Sequence, residues 1–181
     1  MTTSFWVPLN VIQVVTGVGA CIRTEVQATP AGDVRRYVAM QPGDVAWDAC
    51  DCGLLAQSII SEFPADTFAA QTSGTPRGNC GPPLIVVSVQ VHLIRCIPVS
   101  SDAGVSPSPT KLVESAVNQV YDAYALRKGA LCCLAGYRRE RPSRITNFEV
   151  GAVTRVGPSG ACGGLQMSYQ FGLHNAFNCC G

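Results

Sequence analysis

Residues 84–99 alternate apolar and polar side chains with the period of a β-strand, and this run constrains the fold most. Successive side chains of a strand point to opposite faces of the sheet. One face carries Ile85, Val87, Val89, Val91 and Leu93. The opposite face carries Ser88, Gln90 and His92. We therefore expect the apolar face to lie in a core, and we take the polar face as a candidate interface with a partner.

The strongest helix prediction covers residues 109–136. Ser108 is a suitable N-cap, Pro109 fits the first helical position, and Gly136 is a suitable stop. An apolar stripe follows helical spacing and consists of Val113, Val117, Val120, Tyr124, Leu131 and Leu134. One long helix is therefore predicted to follow the strand.

Two further period-2 runs, residues 144–156 and 164–174, follow this helix. The glycine-rich segments Gly157–Gly160 and Gly163–Gly164 supply a turn between them. Apolar runs of strand period that are joined by a glycine-containing turn predict an antiparallel hairpin.

The first part of the chain is less regular. Residues 4–28 have the apolar spacing of a helix, and because they are apolar all round we expect this helix to be buried, partly against a neighbouring subunit. Residues 29–43 contain two proline–glycine turn signals around a short basic piece, and we interpret them as turn or linker. Residues 45–47 and 54–63 are strand-like, although a helix over 54–62 remains an alternative.

These elements predict an α+β fold, in which an antiparallel-rich β-sheet packs against a long helix and an additional N-terminal helix precedes it. We divide the chain into an N-terminal helix and arm (1–43), an α+β core (44–175) and a short C-terminal tail (176–181). The long polar segment 64–83 has the length of a functional loop, and it is a further interface candidate together with the N-terminal arm.

The charge content is low for a soluble domain. Charged residues make up 14% of the chain, against about 25% in typical soluble domains. A membrane protein is excluded on length, because the most apolar runs, Phe5–Ile22 and Leu84–Val99, are interrupted by polar residues. No basic segment precedes Phe5, which argues against a secretory signal. A subunit whose surface is covered by neighbours fits better, since obligate interfaces are poor in charge.

The net charge of +1 gives no bulk attraction to nucleic acid. Sequence-specific DNA binding is therefore not expected, whereas a pore through which DNA passes remains compatible. The densest basic cluster consists of Arg138, Arg139, Arg141 and Arg144. It is either a solvated helix end that complements the helix dipole, or a patch that lines a channel or meets an acidic partner.

The chain contains 10 cysteines. We expect most of them to be free thiols that pack as small apolar side chains. A zinc site from Cys50, Cys52, Cys179 and Cys180 is an alternative, but its spacing departs from the usual knuckles. A disulfide from one of these cysteines to Cys80 or Cys162 is a second alternative, because disulfides persist outside the reducing cytosol.

No pattern of catalytic residues stands out. Asp44, Asp48 and Asp51 lie in a turn-rich stretch without a neighbouring histidine, so they are interpreted as a solvated loop. The two histidines, His92 and His174, are not accompanied by a nucleophile motif or a phosphate-binding glycine loop. We therefore predict no enzymatic activity and no catalytic, cofactor-binding or metal-binding residues.

The element order, with the strand PPLIVVSVQVHLIRCIPV, the helix PTKLVESAVNQVYDAYALRKGALCCLAGY and the hairpin FEVGAVTRVGPSGACGGLQMSYQFGL, resembles that of tail terminator proteins of long-tailed phages. Two segments are similar to those of head-to-tail connector proteins of actinobacterial phages. The first is WDACDCG, and the second is CGPPLIV together with the RC and PV pairs at positions 95–96 and 98–99. The resemblance covers residues 44–175. Its motifs are structural patterns, and no catalytic residues come with them.

The resemblance implies a homohexameric ring at the head–tail junction of the virion, assembled in the cytoplasm of the bacterial host. Such a ring caps the tail tube and ends its polymerisation. Its expected partners are the major tail-tube protein on one face and a head-completion (stopper) protein on the other, with DNA passing non-specifically through the hole. The ten cysteines and the long 64–83 segment depart from the family pattern.

Two rival interpretations remain. Another neck component, an adaptor or a head-completion stopper, is one. An adaptor should be mainly helical, and the final hairpin argues against it. A stopper is a smaller β-rich barrel, and the long helix argues against it. A cysteine-based metal-binding or redox protein is the other, and it predicts a bound metal or a reactive thiol.

Overall fold

The computed structural model describes residues 6–43, 53–65, 68, 84–100, 104–140 and 145–174. Within these ranges the chain forms two helices and five strands. In chain order they are α1 (Trp6–Gln27), β1 (Arg36–Gln41), β2 (Leu54–Ala65), β3 (Leu84–Cys96), α2 (Pro109–Glu140), β4 (Ile145–Ser159) and β5 (Cys162–His174). The predicted α+β fold, with an antiparallel-rich sheet, a long helix and an N-terminal helix, is confirmed.

The five strands form a single sheet in the order β1-β2-β3-β5-β4. Only the pairing of β1 with β2 is parallel, and the other three pairings are antiparallel. The strand predicted from its alternation, β3, occupies the centre of the sheet. Its register against β5 places Val89 opposite Tyr169 and Val91 opposite Met167. The predicted hairpin is β4–β5, and its turn lies at Gly160 and Ala161.

Both helices cover the same face of the sheet. The apolar face predicted for β3 and the odd-numbered residues of β5 join α1 and α2 in one buried cluster. From α1 this cluster receives Val11, Val14, Val15, Val18, Ile22 and Val26. The other side of α1 is more exposed, as at Ile12 and Gln13, so α1 is not buried all round.

The two helices approach each other closely at Gly129 of α2. A Cβ atom at this position would lie 2.6 Å from the Cα of Ile22, which is closer than real contacts allow. Gly17 and Gly19 of α1 have a related role, because the side chains of Tyr137 and Gln57 occupy the space that a Cβ would need. These glycines weaken a helix by propensity, and packing explains their presence.

The interpretation of residues 29–43 as turn or linker was wrong in part, because β1 spans Arg36–Gln41. This strand is short, lies at the edge of the sheet and shows no clean alternation of buried and exposed positions. Its local sequence therefore carries no strand signal, and pairing with β2 decides its conformation. For residues 54–63 the strand interpretation is confirmed by β2, and the helical alternative is wrong.

Element ends also differ from the prediction. The long helix continues past Gly136 to Glu140, since a glycine stops a helix only when the chain turns there. The hairpin strand β4 continues to Ser159. The strand-like segment 45–47, the loop 64–83 apart from residues 64, 65 and 68, and the tail 176–181 lie outside the described residues.

A buried glutamine joins α1 to the sheet. The side chain of Gln57 is 1% exposed. Its Nε2 donates to the carbonyl oxygens of Val15 at 3.2 Å and Ala39 at 3.0 Å. Its Oε1 accepts a hydrogen bond from the Tyr169 hydroxyl at 3.0 Å. Burial raises the pKa of Tyr169, so this hydroxyl remains a donor. Every polar atom of the amide end thus has a protein partner, as buried polar groups require.

A buried ion pair joins β3 to α2. The guanidinium of Arg95 donates to both carboxylate oxygens of Asp122, from Nε at 2.7 Å and from Nη2 at 3.0 Å. The same Nη2 donates to the Gly32 carbonyl at 2.8 Å, and the Thr29 hydroxyl donates to Asp122 Oδ1 at 3.0 Å. We call this set the Arg95–Asp122 clamp. It fixes the connection between α1 and β1 together with the two longer elements.

We expect Asp122→Asn to lower the free energy of unfolding by about 3–5 kcal/mol, because it leaves the Arg95 charge inside without its counter-ion. The matched control is Glu25→Gln, which removes the more exposed pair of Lys128 with Glu25. That change is expected to cost less than about 1 kcal/mol. Urea denaturation of both variants measures the difference, and equal midpoints would contradict a structural role for the clamp.

Four of the five described cysteines are oxidised, so the expectation that most cysteines are free and buried was wrong for this part of the chain. Cys21 of α1 and Cys133 of α2 form a disulfide with a sequence separation of 112. Cys96 and Cys162 are also disulfide-bonded. Cys132 is a free thiol, and it is exposed. Sequence spacing could not predict the first pair, because it depends on how α1 and α2 pack.

The Cys21–Cys133 disulfide should stabilise the fold mainly by restricting the unfolded chain. Closing a loop of about 100 residues gives roughly 4.7 kcal/mol in the chain-entropy treatment, and observed losses on removal are about 2–5 kcal/mol. We expect the double substitution Cys21→Ser and Cys133→Ser to lower the melting temperature clearly. Cys132→Ser is the control and should leave it unchanged. Identical melting curves for all three proteins would contradict the assignment.

Candidate assembly surface

The two halves of α2 have different environments. In the second half, Asp122, Ala125, Leu126, Gly129, Ala130 and Leu134 are buried. Between Pro109 and Tyr121 no residue is buried. The first half of the helix therefore stands clear of the core, and the Arg95–Asp122 clamp marks the point where contact with the core begins.

A row of large apolar side chains is exposed along α2. Val113, Val117 and Val120 are 61%, 46% and 61% exposed, and Tyr124 and Leu131 are 69% and 38% exposed. Their spacings of three, four and seven residues place them on one side of a helix. We call these five residues the α2 stripe. Leu134, which the sequence placed in the same stripe, is buried in the core.

The α2 stripe lies on the side of the helix opposite the core. At 3.6 residues per turn, Tyr124 projects about half a turn away from the buried Asp122 and Leu126. An apolar stripe on a helix usually faces the core of its domain, whereas these five side chains are exposed.

A groove lies on the inner side of the first half of α2. It has a volume of about 860 Å³, and the ion pair of Arg95 and Asp122 lies at one end of it. Its walls come from the segment after β3, the segment before α2 and α2 itself, and they include Ile97, Pro98, Val99, Val105, Pro107, Lys111, Glu114, Ser115, Asn118 and Gln119. Sequence analysis missed this groove, since its walls come from residues 95–99, 105–108 and α2, which are brought together only in the folded chain.

The predicted interface residues of β3 lie on the sheet face that is turned away from the helices. Ser88 and His92 are 2% and 7% exposed, and Gln90 is partly buried. Opposite them in the register of β5 are Gln170, Ser168 and Gln166. The polarity of this face is as predicted from the alternation. Its role as an interface remains a prediction.

The basic cluster is described only in part. Arg138 and Arg139 lie in the last turn of α2, and both are exposed. Their charges favour the negative end of the helix dipole. Arg141 and Arg144 lie outside the described residues. The use of this cluster as a channel lining or partner patch remains a prediction.

Two further ion pairs, Arg23 with Asp33 and Lys128 with Glu25, join elements of the fold to one another. The hydrogen bond from Arg23 lowers the pKa of Asp33 to about 2, with help from Gln27 and Val34. This carboxylate stabilises the fold above its ordinary pKa of 3.8, and the contribution is lost as the pH falls towards 2. Lys128 pairs with Glu25 across the two helices, with a nitrogen–oxygen distance of 2.8 Å.

Candidate chemistry is sparse in the described part of the chain. His92 pairs in register with Gln166, whereas His174 pairs with Leu84 near the other end of β3, so the two histidines do not converge. Among the described residues, no three or more His, Cys, Asp or Glu side chains gather in a way that suits a metal ion. The carboxylates Asp44, Asp48 and Asp51 lie outside this part, as do Cys50 and Cys52.

Comparison with known protein families and with curated proteins identifies no relative. No model of a known protein family matches the sequence, and no curated protein matches it. None of the helices in the described ranges has the length and apolar character needed to cross a membrane.

If the α2 stripe serves binding and not folding, its loss should leave the monomer stable. We expect Val120→Ser with Tyr124→Ser to change the free energy of unfolding by less than about 1 kcal/mol, as for exposed positions away from special features. The control Leu126→Ala, two residues from Tyr124 and on the buried side, should cost about 2–5 kcal/mol. Both are measured by urea denaturation at a protein concentration low enough to keep the chain monomeric. A large loss in the stripe variant would mean that the stripe packs within its own chain.

Proposed function

We propose that this protein is a structural subunit of a tailed-phage virion, a tail terminator that forms a ring at the head–tail junction. The ring caps the tail tube, ends its polymerisation and joins it to the neck, leaving a channel for DNA. The copies pack side by side, the major tail-tube protein binds one face, and a head-completion protein binds the other. The subunit is assembled in the host cytoplasm and has no enzymatic activity.

The observation that carries this proposal is the exposed α2 stripe. Leaving large apolar side chains exposed to water costs about 25 cal/mol of free energy for each Å² of apolar surface. A stripe that its own core cannot bury fits a subunit whose neighbours cover it. The low charge of the chain, 14% Asp, Glu, Lys and Arg, supports the same interpretation, since interface cores are depleted in charge.

The fold supports the choice among neck components. An adaptor is expected to be mainly helical, and a stopper is expected to be a small β-rich barrel. A five-stranded sheet with both helices on one face, including the long helix α2, fits neither description. The resemblance of the element order to tail terminators therefore remains the best guide to which part of the neck this subunit forms.

The redox alternative receives less support from the described cysteines. Cys21 and Cys133 link two packed helices, and Cys132 is the free thiol among the described cysteines. A disulfide that joins two core elements fits a stabilising role in a particle that leaves the reducing cytosol.

The first test is the native mass of the purified protein, with negative-stain images of the same sample. We expect a closed ring with a mass near six times 19.1 kDa. The second test is genetic: phage particles assembled without this subunit should carry tail tubes of uncontrolled length that are not attached to heads. Tails of normal length joined to heads in its absence would refute the proposal.

A matched variant pair separates assembly from folding in that genetic test. Val120→Asp with Tyr124→Asp places charge on the α2 stripe, and we expect it to reproduce the long, unattached tails. Ile60→Asp places charge on an apolar side chain of β2 that is 52% exposed, and it should support normal assembly.

A further inference from the structure

We infer that copies of this chain join head to tail, with the α2 stripe of one copy docked in the groove beneath α2 of the next copy. This inference rests on the proposed function, and it names the two surfaces through which the ring would close. It also excludes an arrangement in which two stripes pair with each other around a two-fold axis.

The first argument is the placement of the two surfaces. The stripe runs along the outer side of both halves of α2, and the groove lies on the inner side of the first half. Two different surfaces on opposite sides of one element allow each copy to bind a neighbour on either side. Such a heterologous contact generates a ring when its rotation closes.

The second argument is the match in polarity. The groove wall opposite α2 is apolar and exposed at several positions, with Val99 47% and Val105 66% exposed, and Ile97 and Pro98 partly buried. A valine- and tyrosine-rich stripe buries its side chains better against this wall than against the polar residues of the sheet face. Prolines on the wall, Pro98 and Pro107, keep it from pairing as a strand and leave it available for side-chain contacts.

The third argument is charge. Glu114 lines the groove, and Arg127 lies on α2 between Tyr124 and Leu131, at the margin of the stripe. When a stripe enters a groove, these two opposite charges come from different copies and lie at the edge of the contact. Charge pairs at an interface edge set register and orientation more than affinity.

The occupant is therefore a second copy of this chain, because one chain carries both complementary surfaces. A contact of this kind needs about 800 Å² from each partner to be stable. The stripe extends over Val113–Leu131, a helix length of about 27 Å at 1.5 Å per residue. Together with the groove walls, this length gives the contact room to approach that area.

A complementation experiment tests the head-to-tail arrangement. The stripe variant is Val120→Asp with Tyr124→Asp, and the groove variant is Val99→Asp with Val105→Asp. Each variant retains one intact surface, so each alone should be monomeric near 19.1 kDa. An equimolar mixture should give a dimer at twice 19.1 kDa, because one stripe–groove contact can form and cannot propagate. Circular dichroism and melting curves verify that both variants are folded.

The other outcomes each overturn the inference. A groove variant that assembles like the unmodified protein would show that the groove is not the docking site. A groove variant that dimerises on its own would show that the stripes pair with each other. A mixture that stays monomeric would show that no stripe–groove contact forms. Loss of assembly in the control Ile60→Asp would show that any added charge on the surface blocks assembly.

A charge exchange provides a second readout. Glu114→Arg alone should weaken assembly, with a rise of about fivefold in the concentration needed, which corresponds to about 1 kcal/mol for a peripheral ion pair. Adding Arg127→Glu in the same chain should restore it, because each contact again brings opposite charges together. Failure of the double variant to recover would contradict the predicted register.

Failure of this inference and failure of the proposed function give different results. An unmodified protein that is monomeric at all concentrations overturns the head-to-tail contact, while the tail-length phenotype still tests the role in the virion. Head-to-tail rings in solution with normal tails in their absence would preserve the contact and refute the terminator role.

Discussion

The ion pair of Arg95 with Asp122 joins the central strand β3 to α2 at the edge of the hydrophobic core. Arg95 lies at the end of the central strand, and its side chain reaches both Asp122 on α2 and the Gly32 carbonyl in the connection between α1 and β1. On one side of this clamp α2 is part of the core. On the other side, between Pro109 and Tyr121, no residue of α2 is buried, and the groove and the three valines of the α2 stripe are found there. The position of one buried charge pair thus decides how much of the helix is available to neighbours.

Several contacts keep the core side of α2 rigid. Gly129 allows α2 to lie directly on Ile22 of α1, and the Cys21–Cys133 disulfide joins the two helices covalently. Gln57 then joins α1 to the sheet through hydrogen bonds to Val15 and Tyr169. A rigid base of this kind positions the free half of α2 reproducibly, which is what a subunit needs to repeat the same contact around a ring.

The sequence predicted the elements whose pattern is local. The alternation of β3, the capping residues Ser108 and Pro109 of α2, and the turn of the β4–β5 hairpin each depend on residues that are close in the chain. Strand β1 was missed because an edge strand of six residues gains its stability from pairing with β2, and its own sequence carries no period. The oxidised cysteines were missed for a similar reason, since Cys21 and Cys133 meet only after two helices have packed.

By itself, the sequence determined the fold class and the existence of an apolar stripe on α2, because period and capping are properties of short segments. Which side of α2 faces the core was decided by the tertiary structure. The stripe of valines, Tyr124 and Leu131 has the stronger apolar pattern, yet the buried side is the one with Ala125, Gly129 and Ala130, whose small size permits close contact with α1. Shape complementarity between helices outweighed the apolar pattern, and the stripe was left exposed.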